Sequence, residues 1–359
     1  MFQNNYPFLS KLIHKIALNN NFVADTSFDI EQMLYEKDVE KQQLEQVIFV
    51  TGLARSGTTS IFNAIYKTTE FASLTYQNMP FLMMPNIWKK IAPKTKEQTV
   101  ERFHKDGLMV SINSPEAFDE YFWKLKLRDI YIKDFFLELN QIDEISMSEY
   151  VIYLKLVCLS DKKQKYLSKN NNNILRFKYL KKKFPSAQIL LLFRDPLQHA
   201  NSLLKEHLYF SEHQKKDNFI IDYFNYLGHH EFGLNHKYFK LNTAVNNSFA
   251  LDSINYWLAI WKSYYQYILE NHLADVNLVC YETLCAEPQK IETYLKDHFK
   301  IEVSLKNYIP PIYDPNNNLV KELLNECLEI YDSLIKKVQI INTQPNLQEL
   351  AHGNFKLNT

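Results

Sequence analysis

The densest chemistry in the chain lies in ten residues: Thr51, Gly52, Leu53, Ala54, Arg55, Ser56, Gly57, Thr58, Thr59 and Ser60. They follow the apolar run Val47–Val50 and lead into a helical pattern at 61–66. Glycines at 52 and 57 free the backbone so that successive N–H groups can converge on an anion, and a helix starting near Thr58 adds the positive end of its dipole. Arg55 supplies charge, and Thr58 and Thr59 supply hydroxyl donors. The chain has only six glycines and two of them fall here, so a glycine turn that merely precedes a helix is the weaker reading. The spacing of the two glycines is that of a Walker A loop, but Thr58 stands where that loop has its lysine. A kinase or ATPase, the rival enzyme class, would lack the cation that reaches the terminal phosphates.

A second anion site is readable further on. The run Ile189–Phe193 ends in Arg194, Asp195 and Pro196, and Asp195 is placed to cap a helix that carries Ser202 two turns in. A guanidinium fork and a hydroxyl suit a dianionic phosphate. The alternative, a strand whose Asp195 holds magnesium, is opposed by the charge of Arg194 beside it. A third run, Val276–Tyr281, continues into Glu282, Thr283, Leu284 and Pro288; taken alone, Tyr281 reads as a core tyrosine.

These sites need elements to hold them. The three apolar runs read as buried parallel strands, each followed by a turn and a helical pattern. The fold class expected is therefore α/β, a P-loop-containing doubly wound parallel sheet flanked by helices, with ligands at the carboxyl ends of the strands. The expected organisation is a helical N-terminal extension over 1–45, the α/β domain over 46–300 and a helical C-terminal tail over 301–359. Helical segments are expected over Ser114–Leu127 and Glu149–Leu159. Irregular composition from Ser211 to Phe249 marks 205–250 as a lid or acceptor loop.

Together the ordered motifs resemble the sulfotransferase superfamily, whose loop Gly-x-Pro-Arg-Ser-Gly-Thr-Thr binds the 5′-phosphosulfate of 3′-phosphoadenosine-5′-phosphosulfate (PAPS); here the proline is Ala54. The resemblance spans 46–300. It implies that Gly52, Arg55, Ser56, Gly57, Thr58, Thr59 and Ser60 hold the phosphosulfate, that Arg194 and Ser202 hold the 3′-phosphate, and that Tyr281 contacts the adenine. In many cytosolic members a Lys-Thr-His segment ends the strand before the Arg/Ser motif. Lys169 occupies the lysine's place and Asn171 replaces the histidine, which leaves open a nucleotide-binding protein without turnover. The late Arg-Lys-Gly phosphate loop of small-molecule enzymes is missing, which favours the bacterial and carbohydrate branches and a hydroxyl acceptor on a glycan or small molecule.

Sulfuryl transfer needs an in-line acceptor, cations on the leaving phosphate and a base for the acceptor proton, with no obligatory metal. Arg55 and Lys169 are the cations. For the base, Ser114–Trp123 holds Glu116 and Glu120 four residues apart, which on one helix share a face. They read equally well as acids favouring the helix dipole. A similar Ser-Pro-Glu-Ala-Phe-x-Glu segment occurs in bacterial sulfotransferases. His104 is the other candidate, with a natural pKa suited to the task.

Composition narrows the rest. The 41 basic and 41 acidic side chains cancel, which argues against a general nucleic-acid binder. Cys158, Cys280, Cys285 and Cys327 form no Cys-x-x-Cys pair and read as reduced thiols, so a cytoplasmic location is expected. His229, His230 and His236 lack acids at ligand spacing and are read as a polar loop. Residues 1–20 carry Lys11, His14 and Lys15 within their apolar stretch and do not read as an export signal. Phe8, Leu9, Leu12, Ile13 and Ile16 recur at helical spacing, a stripe expected to dock on the domain, with membrane-surface contact the alternative.

Overall fold

The computed structural model describes residues 8–93, 99–101, 109–241, 249–313 and 318–338. In chain order the first elements are α1 (Phe8–Asn19), α2 (Asn21–Lys41), β1 (Gln46–Gly52), α3 (Thr58–Tyr66), β2 (Phe71–Ala72), α4 (Pro85–Ile91), β3 (Val100–Glu101), β4 (Met109–Val110), α5 (Glu120–Lys126), β5 (Phe136–Glu138) and α6 (Glu144–Asp161). They continue as β6 (Lys165–Lys169), α7 (Phe177–Lys183), β7 (Gln188–Phe193), α8 (Pro196–Lys216), α9 (Asn218–Leu227), β8 (Tyr238–Lys240), α10 (Ile254–Asn271), β9 (Asn277–Cys280), α11 (Tyr281–Ala286), α12 (Pro288–Phe299) and α13 (Lys321–Lys337).

Five of the strands make one parallel sheet in the order β2-β6-β1-β7-β9. The first strand in sequence lies at its centre, and the chain passes to β6 on one side and to β7 on the other. That reversal opens a crevice at the carboxyl ends of the strands. Apolar runs of this kind form central strands because both faces are covered: Val47–Val50 and Ile189–Phe193 are buried throughout. The register sets Val50 beside Lys169, Gly52 beside Leu192 and Phe193 beside Cys280, so the ends of four strands line up at one edge.

The helix α8 starts where Asp195 and Pro196 predict, with the Asp195 carboxylate accepting the Gln198 N–H at 2.9 Å. Burial lifts the Asp195 pKa to about 6. Above it α10 secures the end of β7, as Trp261 Nε1 donates to the Arg194 carbonyl at 3.1 Å and the Tyr265 hydroxyl to the Leu192 carbonyl at 2.9 Å.

Three local expectations change. The segment 114–119 is not helical: Pro115 bridges Thr75, and the Glu116 N–H donates to the Leu74 carbonyl, so the chain is extended around 115–116, turns at 118–119, and enters α5 only at Glu120. Of the stretch read as irregular from Ser211, residues 242–248 lie outside the described residues, and the part as far as Leu227 is helical. There α8 runs on to Lys216, Asp217 caps α9 by accepting from the Phe219 N–H, and Ile220, Tyr223, Tyr226 and Leu227 bury a helical face. On α1 the buried side is His14, Ala17 and Leu18, whereas Leu12, Ile13 and Ile16 of the stripe expected to dock are exposed; the side chains of Phe8 and Leu9 lie outside those described. No helix among the described residues is long and apolar enough to cross a membrane.

Candidate functional site

A cleft of about 480 Å³ opens over the carboxyl ends of β1, β6, β7 and β9. Its floor is the loop after β1. Gly57 has φ 95°, and a Cβ there would meet Tyr281 Cδ2 at 2.5 Å, so only glycine lets the loop pass beneath that ring. Arg55 also holds a positive φ, 71°, an uncommon backbone for a residue with a side chain. The loop is pinned from behind by His199 of α8, whose Nε2 meets the Ala54 carbonyl at 2.7 Å. Burial lowers the His199 pKa to about 3, so the imidazole is neutral and donates this hydrogen bond.

Arg55, Gly57, Thr58, Thr59 and Ser60 line the cleft, and α3 starts at Thr58, so its first amides have no carbonyl in a preceding helical turn. Ser56 is fully buried beneath the loop. Arg194 lines the cleft at the end of β7, with its guanidinium 4.6 Å from the centre of the Tyr281 ring. Ser202 lies behind Arg55 and accepts from its Nε at 3.4 Å, and Glu206 lies 3.8 Å from the same nitrogen. Ser202 thus pairs with Arg55. Past Tyr281 the wall is completed by Leu284, Cys285, Leu305, Lys306 and Tyr308.

On the other side of the loop Lys169 ends β6. Its ammonium is 2.6 Å from Glu116 Oε1 and 3.2 Å from Thr59 Oγ1. The Tyr76 hydroxyl donates to the second oxygen of Glu116 at 3.4 Å. Glu116, Lys169 and Tyr76 all line the cleft. Asn171 also faces it and donates to Glu231 Oε1 at 3.1 Å, while His229 Nε2 meets the Ala117 carbonyl at 2.8 Å.

Glu120 does not join this group. It is 1% exposed and clasped on both oxygens by Arg176, at 2.7 and 2.8 Å, with Asn170 Nδ2 and the Tyr131 hydroxyl as further donors. Burial pushes its carboxyl up, and the Arg176 charge outweighs that and holds it below the usual range. A proton-accepting role for Glu120 is therefore corrected: every lone pair faces a donor and none faces the cleft. His104 lies outside the described residues. His229, His230 and His236 do not converge on an ion, and no group of three His, Cys, Asp or Glu side chains among the described residues could hold a metal.

Sequence reasoning missed Tyr76, His199, Glu206, Glu231 and Lys306. His199, Ser202 and Glu206 recur at spacings of three and four along α8, a polar stripe at helical period that was open to reading. Nothing local marks Glu231 or Lys306, which reach the cleft through long-range packing.

The sulfotransferase STF1 of Mycobacterium tuberculosis H37Rv is 12% identical, with 90% of this chain and 84% of that one covered and a TM-score of 0.46. STF9 of Mycobacterium avium is 13% identical over 90% and 84%, with a TM-score of 0.41. A sulfotransferase of Alicyclobacillus acidocaldarius is 13% identical over 84% and 97%, with a TM-score of 0.37. No curated protein matches. Likenesses this distant decide nothing by themselves. The family model does: it matches residues 47–304, from the first buried strand past the last strand of the sheet and well over half of the chain, and by that match the protein belongs to the Sulfotransferase family.

Proposed function

We propose that the protein transfers the sulfuryl group of PAPS to a hydroxyl acceptor and releases adenosine 3′,5′-bisphosphate. The observation that carries this reading is the convergence of the glycine loop, Lys169, Arg194 and Tyr281 on one cleft at the carboxyl edge of the sheet. The loop amides with Thr58, Thr59 and Ser60 take the 5′-phosphosulfate, and Gly52 allows the tight exit from β1. Arg194 takes the 3′-phosphate against the face of Tyr281, with Lys306 on the same wall as a second cation. Tyr281 stacks on the adenine. Ser202 acts through Arg55, whose guanidinium it orients.

The acceptor oxygen forms a bond to sulfur as the bond from sulfur to the 5′-phosphate oxygen breaks. Glu116 accepts the acceptor proton, and Lys169 and Arg55 meet the charge growing on the leaving phosphate. Glu116 is preferred to Glu120 because it alone lines the cleft.

Calorimetric binding of adenosine 3′,5′-bisphosphate, AMP and ATP tests the donor site, with wild type and the Arg194→Ala, Ser202→Ala double variant. A preference for the 3′-phosphate of about 1.5–3 kcal/mol, lost in the variant, is expected for a charge-assisted site. Equal affinity for all three nucleotides would return the kinase reading to first place. Donor binding with no turnover of any acceptor would favour the nucleotide-binding protein without activity.

A further inference from the structure

The cleft has a second half that the donor does not explain. Beyond Glu116 it is walled by Phe118, Phe210, Tyr223, Phe224, Leu227 and Phe232, drawn from α8, α9 and the loops beside them. The rings interlock: Phe210 lies 5.0 Å from Phe224 and stacks at 6.1 Å on Phe232, and Phe118 meets Tyr76 edge-on at 5.2 Å. Most polar groups at this end have partners within the wall, although the Asn171 Oδ1 is buried without one. Asn171 is joined to Glu231, His229 to the Ala117 carbonyl, and Glu116 to Lys169 and Tyr76.

We infer that the acceptor is a hydroxyl carried on an apolar body, an aromatic or aliphatic alcohol, and not a polyhydroxylated sugar; this rests on the sulfuryl-transfer reading above. A sugar brings several hydroxyls, and each one buried against these rings loses water without gaining a partner. An apolar body covers the half-buried ring of Phe224 and leaves the wall's existing hydrogen bonds intact. Its single hydroxyl reaches the carboxylate of Glu116, which lines the cleft together with the aromatic wall and the phosphate loop. The wall therefore does the orienting, and it presents one oxygen to the sulfur.

The protein saturated with adenosine 3′,5′-bisphosphate is titrated calorimetrically with 2-naphthol, 1-octanol and maltotriose, and the same three are offered for transfer from radiolabelled PAPS. Binding and sulfation of 2-naphthol or 1-octanol, with maltotriose inert, is the expected result; the two alcohols separate an aromatic from an aliphatic acceptor. The half-buried Phe224 gives the variant, because Phe224→Ser removes wall area without emptying the core. It is expected to raise KM for the accepted alcohol about tenfold, with Phe224→Leu restoring most of the loss and bisphosphate affinity unchanged in both. Sulfation of maltotriose with neither alcohol bound overturns the acceptor inference and leaves the transfer reading standing, as does a KM untouched by Phe224→Ser. Failure of wild type to bind bisphosphate removes the transfer reading, and the acceptor inference falls with it.

Discussion

The ion pair between Glu116 and Lys169 joins the proposed base to a proposed cation at 2.6 Å, so each sets the other's position before any substrate is turned over. Replacing Glu116 by Gln keeps the shape and removes the basic lone pair. Expected is a fall in kcat of about 10²–10⁴-fold with bisphosphate affinity little changed, read by steady-state kinetics and calorimetry together. An unchanged kcat would move the base elsewhere, and Glu231 would be the next carboxylate to test. At Gly57 the constraint is steric as well as conformational. Gly57→Ala places a Cβ 2.5 Å from Tyr281 Cδ2 at a positive φ, so the ring that packs against Arg194 must shift. Bisphosphate affinity is expected to fall by at least about tenfold, with about 1–3 kcal/mol of backbone strain added to the fold. Retained affinity would show that the ring is not part of the donor site.

Between elements, Glu120 and Arg176 tie the start of α5 to the start of α7 through a buried bidentate pair, with Arg176 held between the rings of Trp123 and Tyr131 at 5.1 and 5.0 Å. Beside it Asp119 accepts from Tyr150 at 2.6 Å and from Tyr166, and burial raises its carboxyl above the usual range. This layer underlies β6 and so supports Lys169 from below. Glu120→Ala leaves the Arg176 charge buried without its partner, and a loss of about 3–5 kcal/mol in urea unfolding is expected. The acid thus belongs to the structure of the fold. A variant as stable as wild type would contradict that, and a kcat loss without a stability loss would return Glu120 to catalysis. The same logic separates two neighbours in sequence: Glu116 stays outside the helix because its N–H is spent on Leu74, and Glu120 is drawn inward by Arg176.

Across the whole molecule the buried histidines set the response to acid. Burial lowers the pKa of His199, His230 and His236 to about 3 and that of His207 to about 4. Each is neutral in the fold and takes up a proton on unfolding below its ordinary value of about 6.5. Depressed folded values mean stability that is present above about pH 6.5 and lost as pH falls toward the folded pKa, at up to about 1.4 kcal/mol per pH unit for each ring. Asp195 acts with the opposite sign, since its raised value of about 6 lends stability that disappears as pH rises through 6. Asp119 and Glu31, also raised by burial, act with Asp195, but four rings against three carboxyls still leave unfolding midpoints in urea expected to drop from pH 7 to pH 5, with net proton uptake. Flat stability across that window would show that the four rings are hydrated in the folded protein.

The sequence by itself determined three strands of the sheet and the motifs proposed for the donor, because both are written in short contiguous runs. An apolar strand, a glycine loop and a helix start are adjacent in the chain, and so are Phe193, Arg194 and the Asp195 cap; local physics suffices to read them. The half proposed for the acceptor was decided only by tertiary structure. Glu116 meets Lys169 across 53 residues and Asn171 meets Glu231 across 60, and no periodicity encodes such a meeting. Helical spacing also misled where a long-range contact outweighed it: the Leu74 carbonyl holds 116 extended, and Arg176 takes Glu120 out of the cleft. On α1 the pattern of apolar residues gave the helix but not the side that packs, since that side is chosen by what α2 and α9 present to it. Contiguous motifs specify the part of the protein proposed to bind the donor, and packing between distant segments specifies the part proposed to hold the acceptor.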